Sequence, residues 1–268
     1  MNLHGVCCRI LFAALACLPG AVADGQAPGP ASLPSVPVVV AELFTSEGCS
    51  SCPPADAVLR ELADGTATPG IHVIVLGEHV DYWDHEGWRD PFSSAAFSAR
   101  QTDYDARVFH ANSIYTPQLV IDGNTQLIGS ERAKVLAAVA AAARRPKVPL
   151  AVRAHRSTDG SNIEARVSGS DVRNGTEVVL AVTEDHLVTD VKAGENGGRR
   201  LSHTGVVRLL RTTKVLEPGE LRLELAVPLD RHWNPAHLSV VALLQGRASR
   251  RILGAATAAV EGSTGMSH

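Results

Sequence analysis

Aromatic residues make up only 4% of the 268-residue chain, so its core must rest mainly on Val, Leu, Ile and Ala. Long apolar runs are absent too. The stretch Ile10 to Leu18 falls well below the roughly 18 residues that a membrane-spanning helix needs. Basic charge is never concentrated. Residues 24–146 carry 8 Lys+Arg against 15 Asp+Glu, and residues 147–268 carry 16 against 13. Neither half has the basic patch of a nucleic-acid binder, and both imbalances read as solvated surface. No internal repeat is visible.

Cysteine is the most informative scarcity. Of five, Cys7, Cys8 and Cys17 lie in an N-terminal segment that reads as a signal peptide. Arg9 supplies the basic start, the apolar run follows, and Ala21-Val22-Ala23 forms an A-x-A site, so cleavage is expected after Ala23. The expected location is periplasmic or secreted, with no integral membrane segment after cleavage. A lipoprotein acylated at Cys17 is the weaker option, because Ala14 stands where that signal usually has Leu. Only Cys49 and Cys52 then remain. A bridge across so short a loop removes little chain entropy, so function explains the pair better than stabilisation does.

Residues 24–37, with Pro28, Pro30, Pro34 and Pro37, read as a linker. Val38 to Phe44 is a near-continuous apolar run with one Glu, the pattern of a buried strand. Pro53-Pro54 suits a first helical turn, and Ala55, Val58, Leu59 and Leu62 follow at helical spacing up to Asp64-Gly65. A strand is expected over His72–Val80, an irregular aromatic loop over Tyr82–Phe92, and a helix from Ser93 to about Val108 with Ser93 or Ser94 as its cap. A strand over Gln118–Ile121 should turn at Asp122-Gly123-Asn124 into a return strand, Thr125–Ile128. Ser130 is expected to cap a helix running to about Arg144. This order gives an α/β unit with a mixed sheet over residues 38–146. Pro146 to Pro149 marks a boundary. After it, short strands at Leu150–His155, Asn162–Val167, Glu177–Thr183, Val188–Val191, Val206–Leu210, Leu221–Val227, Leu238–Leu244 and Ile252–Ala258 suggest a β-sandwich-like domain over 147–262, with a tail at 263–268.

A strand that delivers Cys49-Ser50-Ser51-Cys52 to a helix start has a chemical purpose. Free N–H groups and dipole character at a helix N-terminus favour a thiolate. Cys49 is expected as the exposed nucleophile and Cys52 as the resolver of a mixed disulfide. Ser50 and Ser51 are placed to donate to the Cys49 sulfur, whereas Glu47 and Asp56 bring opposing charge. A structural zinc site wants four ligands, and there is no second cysteine pair. Glu78, His79, Asp81, Asp84, His85 and Glu86 crowd nine positions beside Trp83 and Trp88. That cluster is either metal-binding, with copper or zinc on the thiols and His79, or a hydrogen-bonded wall beside the site. The wall is the favoured reading, with His79, Asp81 and Trp83 as its candidate residues near the sulfurs. Gly194 to Arg200 either reaches across to the thiols or is a surface turn.

The segment from Val38 to Asp56 closely resembles a family of exported bacterial thioredoxin-like proteins, the domain of unknown function 1223. His79-Val80-Asp81-Tyr82-Trp83-Asp84, Gly87-Trp88-Arg89-Asp90-Pro91-Phe92, Tyr115-Thr116-Pro117-Gln118 and Gly194-Glu195-Asn196-Gly197-Gly198-Arg199 extend the match to about Leu244. The resemblance implies a thioredoxin-like mixed sheet with helices on both faces and a β-rich C-terminal extension. It implies no reaction. In thioredoxin-like proteins a cis-proline faces the CxxC and exposes backbone to a substrate chain, a role that would fall to Thr116 and Pro117. An ordinary trans proline at a strand end is the other reading. The expected function is thiol–disulfide exchange with a protein or small-molecule substrate, without a cofactor and with an unidentified redox partner. A metallochaperone and a non-catalytic interaction module are the alternatives.

Overall fold

The structure, a computed structural model, describes residue 1 and residues 36–215 and 217–262. The expected signal peptide beyond its first residue, with Cys7, Cys8, Cys17 and the Ala23 cleavage point, lies outside the described residues. So do the linker up to residue 35 and the tail at 263–268.

The chain forms β1 (Val38–Thr45), α1 (Pro53–Ala63), β2 (His72–His79), α2 (Ala95–Tyr104), β3 (Gln118–Ile121), β4 (Thr125–Ile128) and α3 (Arg132–Ala143). Nine strands follow: β5 (Leu150–Arg156), β6 (Asn162–Val172), β7 (Thr176–Glu184), β8 (Leu187–Asp190), β9 (Arg200–His203), β10 (Val206–Lys214), β11 (Gly219–Pro228), β12 (Leu238–Gly246) and β13 (Ile252–Glu261). The fold is mixed α/β.

Eleven strands join one sheet in the order β11-β6-β5-β13-β12-β7-β10-β2-β1-β3-β4, while β8 and β9 pair as a separate hairpin. β1 runs parallel to β2, and β3 returns antiparallel to β1 with Phe44 opposite Gln118. The turn between β3 and β4 spans Asp122, Gly123 and Asn124, with positive φ at Asp122 and Gly123 and Asn124 N donating to Ile121 O at 3.1 Å.

Side-chain alternation along β1 and β2 divides the core. Val39, Ala41 and Leu43 face α1 and α3, meeting Leu59, Leu62 and Val139. Val40, Ile74 and Leu76 lie on the other face with Phe97 of α2. Helices therefore cover both faces of this part of the sheet. β7 and β12 are buried on both sides. Val179 and Leu243 pack with the α2 face, whereas Leu180 and Ala242 join a cluster with Val152, Ile163 and Val167 of β5 and β6.

Two local expectations change. α3 begins at Arg132 with Glu131 as its cap residue, and no side chain caps it. Glu131 pairs instead with Lys134 at 2.6 Å, and Ser130 precedes the helix. The helix expected to run to Val108 keeps α geometry only to Tyr104, then widens into one π-helical turn, Asp105–Phe109, closed by His110 with φ 50°. Its start is Ser94, whose Oγ accepts from Ala96 N at 3.3 Å. β9 was not expected. Of Arg200-Leu201-Ser202-His203 only Leu201 is apolar, so no strand period shows.

Candidate functional site

β1 ends at Thr45, and a tight turn follows in which Cys49 N donates to Ser46 O at 3.2 Å. Cys52 is the N-cap of α1, and its carbonyl accepts from Ala55 N and Asp56 N at 2.8 and 3.1 Å. Pro53 and Pro54 fill the first helical positions, where an N–H has no partner to lose. Cys49 and Cys52 are joined as a disulfide with their Cα atoms 5.4 Å apart. Ser51 Oγ lies 3.3 Å from Cys49 Sγ, and in a disulfide only the hydroxyl can donate.

Cys49 was expected to be exposed, yet it and Cys52 are both 0% exposed. A loop distant in sequence covers Cys49. Asn196, joining β8 to β9, donates through Nδ2 to Glu47 O at 2.8 Å and Cys49 O at 2.9 Å. Ser50 N donates to Glu195 Oε2 at 2.9 Å. Of the two readings of Gly194 to Arg200, the one that reaches the thiol site holds.

Beneath the turn lies a buried charged cluster. Asp90 Oδ2 accepts from Glu47 N at 2.8 Å and sits 2.6 Å from His79 Nδ1. The Glu47 carboxylate accepts from Trp88 Nε1 at 2.8 Å and lies 3.0 Å from His203 Nε2. The rings of His79 and His203 meet edge to face at 4.9 Å, and Phe92 packs against both. Burial alone would depress the His79 pKa, but the carboxylates of Asp90, Asp56 and Glu47 reverse this and raise it above 6.5. Burial would raise Asp90, yet His79 and the N–H groups of Glu47 and Phe92 hold it below 3.8. His79 and Asp90 thus form an ion pair. Asp56, one helical turn after Cys52, accepts from Thr45 Oγ1 at 3.0 Å. Burial raises its pKa, with His203 and His79 opposing.

The remaining expected residues separate into two groups. Trp83 donates through Nε1 to Thr116 Oγ1 at 2.8 Å, and its Cβ and carbonyl would sit 3.2 and 3.3 Å from a side chain at Gly48. That packing explains the glycine before Cys49. Pro117 is buried, follows a cis peptide bond from Thr116, and precedes Gln118, which pairs with Phe44. Trp83 therefore adjoins the CxxC turn and Thr116 is bonded to Trp83, while Pro117 lies beside the end of β1 that leads into the turn. Asp81 does not adjoin the turn. Its N–H donates to Ser98 Oγ of α2 at 3.1 Å, and it anchors the loop there. Asp84 is likewise spent inside the loop, accepting from Asp90 N and Ser93 Oγ. Among the described residues no three His, Cys, Asp or Glu side chains are grouped to hold a metal ion.

Asp90 and His203 were not singled out as site residues, Glu47 was read only as an opposing charge, and Asn196 only within the Gly194–Arg200 loop. Glu47 and His203 are 156 positions apart, and only the fold brings them together.

Residues 40–245 match the family model described as protein of unknown function (DUF1223). The chain belongs to that family. It is also similar to a crystal structure of a protein from Agrobacterium tumefaciens, at 28% identity and a TM-score of 0.62, over 86% of this chain and 97% of that one. No curated protein matches. Among the described residues no helix is long and apolar enough to cross a membrane.

Proposed function

We propose that this family member is an exported thiol–disulfide oxidoreductase on a thioredoxin-like scaffold, with a sandwich-like β-rich region behind it. The observation that carries the reading is the Cys49–Cys52 disulfide, closed between the end of a central strand and the first turn of α1. Support for the scaffold comes from helices on both sheet faces and from Pro117 beside the end of β1 that leads into the CxxC turn. The N-terminal pattern that ends at Ala23 supports export.

In the oxidised form a substrate thiolate attacks Cys49 Sγ. The Cys49–Cys52 bond breaks, its electron pair goes to Cys52 Sγ, and a mixed disulfide remains on Cys49. A second substrate thiolate attacks the substrate sulfur of that bond and releases Cys49 as a thiolate. Two substrate thiols have then become one disulfide, and the protein's pair is reduced. The reverse sequence reduces a substrate disulfide. Electrons pass only between sulfurs, so the scheme needs no cofactor. In this reading Thr116 and Pro117 would align a bound chain, the role that the thioredoxin-like resemblance implies.

Cys52→Ser removes the resolving thiol, so mixed disulfides should accumulate on Cys49 in cells and run as slower bands without reductant. If Cys52→Ser captures nothing that Cys49→Ser/Cys52→Ser fails to capture, the oxidoreductase reading is wrong. Full burial of Cys49 favours a second reading, a non-catalytic interaction module in which the disulfide only shapes the turn. That reading predicts no adducts.

A further inference from the structure

The loop that covers Cys49 is anchored at its root and rich in glycine at its tip. At the root, His203 meets Glu47, and Arg60 Nη2 of α1 donates to Ser202 O at 2.8 Å. Gly194, Gly197 and Gly198 bracket the tip, and Gly194 and Gly198 have φ of +72° and +83°. The tip closes on itself through Gly198 N to Val191 O at 2.9 Å. Arg199 Nη1 donates to Asn196 Oδ1 at 2.8 Å, which orients the amide so that both protons of Nδ2 serve Glu47 O and Cys49 O.

The second contact bears on reactivity. Ser50 N–H sits directly after Cys49, ahead of α1, where a backbone donor would stabilise a thiolate. Here that donor is taken by the Glu195 carboxylate, whose pKa is lowered by the Ser50 hydroxyl and amide. The same contact places a negative charge beside the reactive turn. Both effects disfavour an anion on Cys49.

We infer that the tip of the β8–β9 hairpin is a latch on the redox centre. Asn196 keeps Cys49 covered, and Glu195 withholds the Ser50 N–H from its sulfur. Lifting the tip exposes Cys49 and frees that N–H for the thiolate. Glu195 and Asn196 are positioning residues in this scheme, acting on Cys49 and not on the substrate. The inference rests on the redox reading of the site, but its test does not require turnover.

The test is alkylation of Cys49 by iodoacetamide, followed across pH in the reduced Cys52→Ser protein. Asn196→Asp keeps the volume but replaces the two donated protons with an acceptor facing two carbonyls. Alkylation should become about tenfold faster, because two hydrogen bonds that hold the covered form are gone. Glu195→Gln, at an exposed position, should lower the midpoint of the rate–pH curve by about half a unit at low salt and less at high salt. Glu195→Asp, which keeps the charge, should retain the parent's midpoint. A parent-like rate in Asn196→Asp, or a parent-like midpoint in Glu195→Gln, overturns the latch. Mixed-disulfide capture is read separately. Absent adducts with a responsive alkylation rate reject the oxidoreductase and leave the latch standing.

Discussion

His79 and His203 touch through their ring edges while each engages a different buried carboxylate, Asp90 and Glu47. The His79–Asp90 pair has a definite consequence for stability. His79 binds its proton more tightly when folded than at the ordinary value of 6.5. Its contribution is therefore complete below pH 6.5 and is lost as pH rises through the raised folded value. Asp90 is shifted the other way, so its contribution is present above 3.8 and is lost as pH falls through the lowered folded value. Between those limits the ion pair is whole. His79→Asn keeps a donor near Asp90 but cannot carry charge. It should cost roughly 3 kcal/mol at pH 6, as expected when one partner of a buried pair is removed. The deficit should shrink as pH rises through the raised folded value, where the parent's His79 itself loses its proton. Thermal melts of both proteins from pH 5 to 9 check this, and a pH-independent difference would reject the ion pair. Cys49, Cys52, Thr116, Pro117 and His79 were legible because each belongs to a short motif. Asn196 was legible only as part of a glycine-rich loop with two readings, and His203 was not, because its partner Glu47 lies 156 positions away and depends on the fold.

At the scale of elements, β1, β2 and α2 are tied by a charged network inside an otherwise apolar interface. Glu42, the one acid in the β1 run, is fully buried and paired with Arg100 of α2 at 2.6 Å, and it accepts from Tyr104 OH at 2.6 Å. Glu78 of β2 lies on the same face. Its carboxyl oxygens have no hydrogen-bond partner, although Arg100 Nε is 3.4 Å away. One guanidinium thus faces two buried carboxyls. Burial and the neighbouring Glu42 keep the Glu78 proton on to well above the usual glutamate range, against the pull of Arg100. A raised carboxyl stabilises at low pH, and that contribution falls as pH rises. Glu78→Gln mimics the protonated acid and cannot ionise. It should melt within about 1 kcal/mol of the parent at pH 5 and gain on it as pH rises above the usual glutamate range, until the folded Glu78 ionises. If the two melting curves keep a constant offset over that range, Glu78 is not the buried proton holder. The sequence pattern located these strands from their apolar residues but gave no means of pairing Glu42 with Arg100. β3 and β4 were read to the residue because the Asp122-Gly123 turn fixes both ends. β9 escaped because burial of Leu201 and His203 comes from docking the hairpin on α1, not from a run of apolar side chains.

Over the whole molecule, the composition changes at Pro146–Pro149, yet hydrogen bonding continues past it. β10 lies between β7 and β2, so one sheet spans both compositional regions. No local pattern could announce this, since β2 and β10 are more than a hundred residues apart. The seam is narrow. Val206 pairs with Gly77, and Gly77 N donates to Gly205 O at 2.8 Å. Gly205 has φ +61°, and a Cβ there would lie 2.7 Å from Val75 O. Backbone carbonyls cannot yield as a flexible side-chain tip can, so Gly205→Ala must part the strands or distort the turn. Gly160→Ala is the matched control, with φ +73° and nothing within 4 Å. The control carries only the cost of a left-handed alanine, about 1 kcal/mol. Gly205→Ala adds the steric clash and should cost about 3 kcal/mol, which for a unit of this size lowers the melting midpoint by roughly 5–10 °C. Calorimetry of the two variants beside the parent decides the matter. Equal midpoints for Gly160→Ala and Gly205→Ala would mean that β2 and β10 are not held this closely. A larger drop for Gly205→Ala makes the seam a determinant of stability, because the same turn leads from His203, bonded to Glu47, into the strand that joins the two regions.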